Sequence, residues 1–329
     1  MSFAGLPIIY STLDPMGLVQ QVLPAYELPY VKDCKFWHRG MSDVYLVETE
    51  QGNYILRISH YHWRTRTEVQ FELEFLQFLA DKDIPVAAPI PTTEGDLLIT
   101  LHQPEGDRYA SLFPYAIGEV PMGDLNIDQS RSLGELVAQI HHVSRNFKTK
   151  TKEKVLDLDN LIEPSLKDIN RFLKIYPEDA AALHAIVDNL KIKLSYLPNE
   201  DPLWVVCWGD VHSGNTHFVE TGDVTIFDFD QCGYSWRIFE VAKFWHTCLS
   251  TGLSYKIRRA FLEGYETITA FTPQEMDSLQ AFTQLAHIWS WSININLREI
   301  YDYSRLDRSY FRQRLNQLKQ LTSKDWDMF

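Results

Sequence analysis

The side chains whose types and spacing suit chemistry lie in Cys207-Trp208-Gly209-Asp210-Val211-His212-Ser213-Gly214-Asn215 and in the Asp228-Phe229-Asp230 that follows. Asp210 and Asn215 stand five residues apart on a polar stretch, which reads as a loop. Beyond Asn215 come two apolar runs, Thr216–Val219 and Val224–Phe227, joined by Glu220-Thr221-Gly222-Asp223, the pattern of a hairpin. Pairing Val219 with Val224 carries the register outward until Asn215 stands opposite Asp228. Directly opposed residues on antiparallel strands hold their Cβ atoms about 4.5–5.5 Å apart. An amide oxygen and a carboxylate then converge on a spot where a small hard cation can bridge them, with Asp210 overhanging it. One carboxylate to orient a hydroxyl and an Asn/Asp pair to hold Mg2+ is what phosphoryl transfer requires.

Taken alone, Asp-x-x-x-x-Asn is more often a capped turn, and Asp-Phe-Asp at a strand end is more often a solvated one. Together, in hairpin register, they are specific. The run Trp-Gly-Asp-Val-His-Ser-Gly-Asn followed by Ile-Phe-Asp-Phe-Asp resembles the catalytic signature of the aminoglycoside phosphotransferase family. That family includes choline kinases, type II homoserine kinases and a bacterial stress-response protein kinase. The resemblance implies an α+β, two-lobed, protein-kinase-like fold. A small antiparallel-sheet N-lobe with one main helix would join a larger, mainly helical C-lobe carrying the catalytic hairpin. It implies Asp210 as catalytic base, Asn215 and Asp228 as metal ligands, and Asp230 as a second acidic contact. Two positions depart from the family pattern: Trp208 stands where His is usual, and Glu240 where Asp is usual.

The elements that position these residues begin with a short helix around Pro15–Leu23, capped from Ser11, Thr12 or Asp14 and lying on the first lobe. A meander follows, from Lys35-Phe36-Trp37-His38 through Asp43–Thr49 and the turn Glu50-Gln51-Gly52-Asn53 into Tyr54–Ser59. Arg39–Asp43, with Ser42, sits where a phosphate-covering loop belongs, although it holds one glycine. Arg57 lies mid-strand among apolar residues, and a buried cation is costly unless paired or bound to an anion. By resemblance it grips nucleotide phosphates and pairs with a glutamate of the next helix, about Thr67–Asp81. Of Glu68, Glu72 and Glu74 on that helix, alignment with the family favours Glu72. The competing view makes Arg57 an edge-strand surface residue and Glu72 merely solvated.

A proline-punctuated loop then leads to a hairpin, Asp96–His102 and Tyr109–Phe113. Pro114-Tyr115 follows as the lobe boundary, so that 1–113 form the N-lobe and 114–329 the C-lobe. By analogy, backbone groups near Phe113 and Tyr115 meet the adenine edge. From Ile127 the periodicity is helical, with a stripe of Leu133, Leu136, Val137 and Ile140 ending at His141-His142. Two helices cover 160–198. Thr272-Pro273-Gln274-Glu275 is a capping box opening a helix through about Arg298, and a last helix runs near Ser309–Leu321.

The chain has 329 residues, is 45% hydrophobic and carries a net charge of −13, which argues against a nucleic-acid partner. Its four cysteines show no metal or disulfide spacing, which fits a reducing cytoplasm, and neither a signal peptide nor a membrane span is expected. The implied activity is transfer of the γ-phosphate of ATP, or of GTP, with Mg2+, to a hydroxyl of an amino alcohol, amino acid or aminoglycoside-like small molecule. A Ser/Thr protein kinase of the stress-response type and a nucleotide-binding pseudokinase scaffold are the alternatives. Trp245, Trp289, Trp291, Tyr301 and Tyr303 suggest an aromatic cage for a quaternary amine, although at helical spacing such residues more often fill a core.

Overall fold

The meander of apolar runs joined by short turns becomes an antiparallel sheet. The computed structural model describes residues 5–328. Strands β1 (Val31–Arg39), β2 (Ser42–Thr49), β3 (Asn53–Ser59), β4 (Ile99–Gln103) and β5 (Gly106–Pro114) form one five-stranded sheet in the order β1-β2-β3-β5-β4. Helix α1 (Pro15–Gln21) lies on it, burying Leu18, Val22, Leu23 and Tyr26 against Tyr45, Val47, Leu56, Ile58 and Leu112. The helix stops short of Leu23, and Leu23–Ala25 form a 3-10 turn, since Pro24 has no N–H to continue the ladder. Helix α2 (Arg66–Ala80) starts at a full capping box between Thr65 and Glu68 and buries Phe71, Phe75 and Leu79.

These elements, with Lys148–Lys152 and Thr225–Phe227, form one compact unit that runs through Ile117. Strand β3 is central in the sheet, so Arg57 is not an edge residue: its neighbours in register are Val44 and Ser111. The β4–β5 hairpin starts later than expected, because Asp96 is drawn into a separate turn with Thr92.

The second unit comprises Gly118–Phe147, Glu153–Val224 and the chain from Asp228 onward. It is mainly helical: α3 (Ile127–Ser144), α4 (Leu158–Leu173), α5 (Pro177–Leu194), α6 (Arg237–Thr251), α7 (Tyr255–Glu266), α8 (Pro273–Tyr301) and α9 (Arg308–Gln320). Short strands β6 (Trp204–Cys207) and β9 (Gly233–Trp236) pair antiparallel, and β7 (Thr216–Phe218) with β8 (Val224–Ile226) makes the expected hairpin. Helices α3 and α7 cross with almost no space between them. A Cβ on Gly134 would lie 1.9 Å from the Phe261 carbonyl oxygen, and one on Gly264 equally close to that of Arg131. Ser130 seals the same contact by donating to the Ile257 carbonyl at 2.8 Å.

Because neither backbone can yield alone, Gly134→Ala will lower unfolding stability by about 1–3 kcal/mol. Urea titration checks this, and an unchanged midpoint would contradict the close crossing.

Candidate active site

Strand β6 delivers the chain into Trp208-Gly209-Asp210, and this turn is held from below by Glu240 on α6. The buried Glu240 carboxylate accepts from Trp208 N and, at 2.8 Å, from Gly209 N. His141 Nε2 lies 3.4 Å from the same carboxylate, and its Nδ1 is 2.8 Å from the Tyr265 hydroxyl. His141, Cys207 and Glu240 are close enough to suggest a metal site. However, the carboxylate is engaged by backbone N–H groups, and burial raises the Cys207 thiol well above its ordinary value. They form a hydrogen-bonded floor.

Gly209 has φ +87°, and a Cβ there would meet the Gln231 carbonyl oxygen at 2.4 Å. Only glycine permits this backbone to pass so near the segment after Asp230. Trp208 closes the same junction. Its indole, fully buried, stacks on Phe229 with ring centroids 5.2 Å apart, and Nε1 donates to the Asp228 carbonyl at 2.9 Å. The tryptophan in place of the family's usual histidine thus ties the loop to Asp228, and Glu240 reaches the turn as an acidic residue there must. Asp228 itself has φ +60°, an uncommon conformation outside glycine.

The Asp210 carboxylate is 22% exposed and surrounded. His212 Nε2 is 3.4 Å from Oδ2 and Lys243 Nζ is 3.7 Å from Oδ1. Asn215 Nδ2 is 3.3 Å from Oδ2 and 3.1 Å from the Asp210 carbonyl. Gly214 N donates to His212 Nδ1 at 3.0 Å, so the imidazole proton sits on Nε2, facing Asp210. Burial pushes the Asp210 carboxyl up, but His212, Lys243 and Asn215 outweigh it and hold it below the usual range. The Asn215 amide turns its Nδ2 to Asp210. By type, the Asn215 amide oxygen and the carboxylates of Asp228 and Asp230 are hard oxygen donors of the kind a divalent cation takes.

The expected hairpin register is corrected by one residue. Val219 N donates to Asp223 O and Gly222 N to Val219 O, so Val219 faces Asp223 rather than Val224. Gly222, at φ +93°, absorbs the extra residue as a bulge. Asn215 and Asp228 are therefore not opposed in a ladder. Asn215 is placed by its bonds to Asp210, and Asp228 by the indole of Trp208. Asp230 is buried, and its carbonyl accepts from Lys154 Nζ at 2.8 Å.

In the first unit, Arg57 pairs with Glu72 at 2.7 Å. Glu72 is fully buried, not solvated. Of the other two acids on α2, Glu68 closes the capping box, while Glu74 accepts from Thr149 and Lys150. Arg64, which sequence inspection passed over, holds the second side of Glu72 and also donates to the Glu68 carbonyl at 3.1 Å. Phe113 lies under the Arg57 guanidinium at 4.9 Å. The Tyr115 N–H is committed to Asn53 O at 3.1 Å. Ser42 is buried, its carbonyl accepting from Gly40 N at 3.0 Å. Around it, Asp43 is pinned by Arg39 at 3.0 Å and Arg108 at 2.9 Å.

The proposed aromatic cage is not assembled. Trp245 and Trp291 are core residues, Tyr301 and Tyr303 are exposed, and the ring of Trp289 carries the Lys243 ammonium 4.5 Å from its centroid. Lys243, His212, Arg64 and the Asp43–Arg108 pair were missed at the level of sequence. For Lys243 a signal existed, a lone cation within an apolar run.

One unit with a five-stranded sheet whose central arginine meets a helix glutamate, and a second, helical unit carrying this acidic loop, define a protein-kinase-like fold. The phosphotransferase enzyme family matches residues 33–282, and the chain belongs to that family. It is a phosphotransferase. An uncharacterized protein of Synechocystis sp. is 49% identical over 325 residues, covering 99% of this chain and 90% of that one. Among solved structures, amicoumacin kinase hAmiN, in complex with AMP-PNP, Ca2+ and Ami, has the same fold with a TM-score of 0.80 at 20% identity, over 96% of this chain and 95% of that one. A microcompartment-associated aminopropanol kinase follows at a TM-score of 0.77 and 18% identity, over 94% of this chain and 98% of that one. Among the described residues, no helix is long and apolar enough to cross a membrane.

The Glu72 pairing carries a pH signature. Burial raises this carboxyl, and the two guanidiniums overcome it, holding it at about 2 against an ordinary 4.5. A depressed folded-state value adds stability above the unfolded value, lost as pH falls from about 4.5 through about 2. Glu72→Gln will therefore be less stable than wild type at pH 7, with the gap narrowing over that window. Urea unfolding at several pH values measures it, and a gap independent of pH would contradict the pairing.

Proposed function

We propose that this kinase transfers the γ-phosphate of ATP to a hydroxyl of an amino alcohol, amino acid or aminoglycoside-like small molecule. The observation that carries the proposal is the ionised Asp210 carboxylate, partly open to solvent and braced by Asn215, His212 and Lys243. A carboxylate kept ionised and immobile suits the task of orienting an acceptor hydroxyl and taking its proton. Asn215 and Asp228, with Asp230, would hold the Mg2+ that neutralises charge building on the phosphates. Arg57, steadied by Glu72, would grip phosphate oxygens, a task for which a guanidinium fork is well shaped. Ser42, Phe113 and Tyr115 would border the nucleotide. In this division 1–113 serve the nucleotide and 114–329 carry the catalytic loop and the acceptor-binding helices.

Support comes from the company the fold keeps. The hAmiN complex contains a nucleotide analogue and a divalent cation, and the aminopropanol kinase takes a small amino alcohol by its name. No observation favours a protein acceptor. Trp208, an unusual residue at its position in the family pattern, braces the loop through Phe229 and the Asp228 carbonyl.

Asp210→Ala and Asp228→Ala will each lower phosphate transfer by roughly 100- to 10,000-fold, the usual range for loss of a proton-transfer or charge-stabilising group, while the circular dichroism spectrum stays that of the wild type. The assay is a 31P-monitored screen of hydroxyl compounds with ATP and Mg2+. Wild-type-like turnover in either variant contradicts these roles.

A further inference from the structure

We propose that Lys243 is the positioning residue of the catalytic carboxylate, its ammonium filling a cation site built by Asp210, Gln231 and Trp289. The proposal rests on Asp210 serving the acceptor hydroxyl. Helix α6 is buried without interruption from Arg237 through His246, and Lys243 is 3% exposed within that run. An ammonium taken out of water is destabilising unless partners replace its hydration. Here three do. Asp210 Oδ1 lies 3.7 Å from Nζ, Gln231 Oε1 accepts from it at 3.2 Å, and the Trp289 ring centroid is 4.5 Å away.

A carboxylate, an amide oxygen and an aromatic face each present negative potential, and they come from the catalytic loop, the segment after Asp230 and α8. Their convergence is that of a receptor for a small ammonium, occupied by the chain's own lysine. The effect on Asp210 is geometric. Lys243 holds Oδ1, while Asn215 and His212 hold Oδ2, so the carboxylate cannot rotate between them. For the acceptor, the Trp289 face and Oδ1 are already satisfied by a cation. An amine on the acceptor is therefore bound away from this flank, and an acceptor whose amine must occupy it is disfavoured.

The test uses the full chain with ATP, Mg2+ and water as acceptor. Lys243→Met keeps most of the volume and removes the charge, and Lys243→Ala also opens the site. Both are expected to lose roughly 10- to 100-fold in kcat, the effect of a misplaced catalytic group, with KM for ATP little changed. Methylammonium chloride is expected to restore the alanine variant several-fold, and tetramethylammonium, which has no N–H to donate to Gln231, to restore nothing. Neither salt should raise the turnover of wild type or of Asp210→Ala. Wild-type kcat in the methionine variant overturns the proposal, and so does a loss in a well-folded alanine variant that methylammonium does not reverse. Where the alanine variant fails to fold, kcat of the methionine variant decides. Wild-type turnover in Asp210→Ala removes instead the reading of Asp210 on which the proposal stands, and where the wild type does not hydrolyse ATP the same comparison is made with a hydroxyl compound that the 31P screen shows to be phosphorylated.

Discussion

The buried carboxylate of Glu240 is the constraint on which the catalytic turn depends. Trp208 and Gly209 leave β6 with their N–H groups pointing away from any strand partner, and an unpaired buried N–H is destabilising. Glu240 satisfies both at once, and His141, itself held by the Tyr265 hydroxyl, meets Glu240 in turn. A charge so placed is tolerable only because every side of it meets a donor. The turn is consequently fixed to α6 and, through His141, to α3. Asp210, the next residue, inherits that rigidity.

The same device recurs wherever two distant segments must keep one geometry. Glu72 joins the central strand β3 to α2 between two arginines, and Asp43 is gripped by Arg39 and Arg108. Arg237 reaches Glu275 through two bonds of 2.7 and 2.8 Å, tying the start of α6 to the start of α8. Buried ion pairs add little net stability compared with apolar contacts, but they penalise any arrangement in which one partner is missing. In a molecule that must hold single side chains in place, that penalty against near-native alternatives is the useful property. Lys243 extends the device into the catalytic turn itself, where the pinned acid is Asp210.

Much of this was legible without coordinates. The strands of the first unit follow from apolar runs broken by turn residues, α2 and α3 repeat at helical spacing, and Thr272 through Glu275 announce the start of α8. The choice of Glu72 as partner of Arg57 followed from the family pattern, and the nearness of Asp210 to Asn215 from their spacing on one loop. The hairpin register did not, because a glycine bulge inserts one residue without altering the hydrophobic alternation on either side. The fate of the tryptophans was equally hidden, since periodicity tells which residues share a face but not what that face meets. Lys243 stood out only as a lone cation within an apolar run, and only the approach of α8 with Trp289 shows what that cation meets.

By itself the amino-acid sequence determined what is local or carried by residue identity: the elements, their caps, the acidic pair on a polar loop and the family those residues signal. Tertiary structure alone decided which charges meet. Arg64 with Glu72, Glu240 with two successive N–H groups, and Lys243 with Asp210 and Trp289 are contacts between segments separated along the chain. Nothing in local propensity encodes them, since their energies arise only when folding brings the partners together and removes the water that would otherwise screen them.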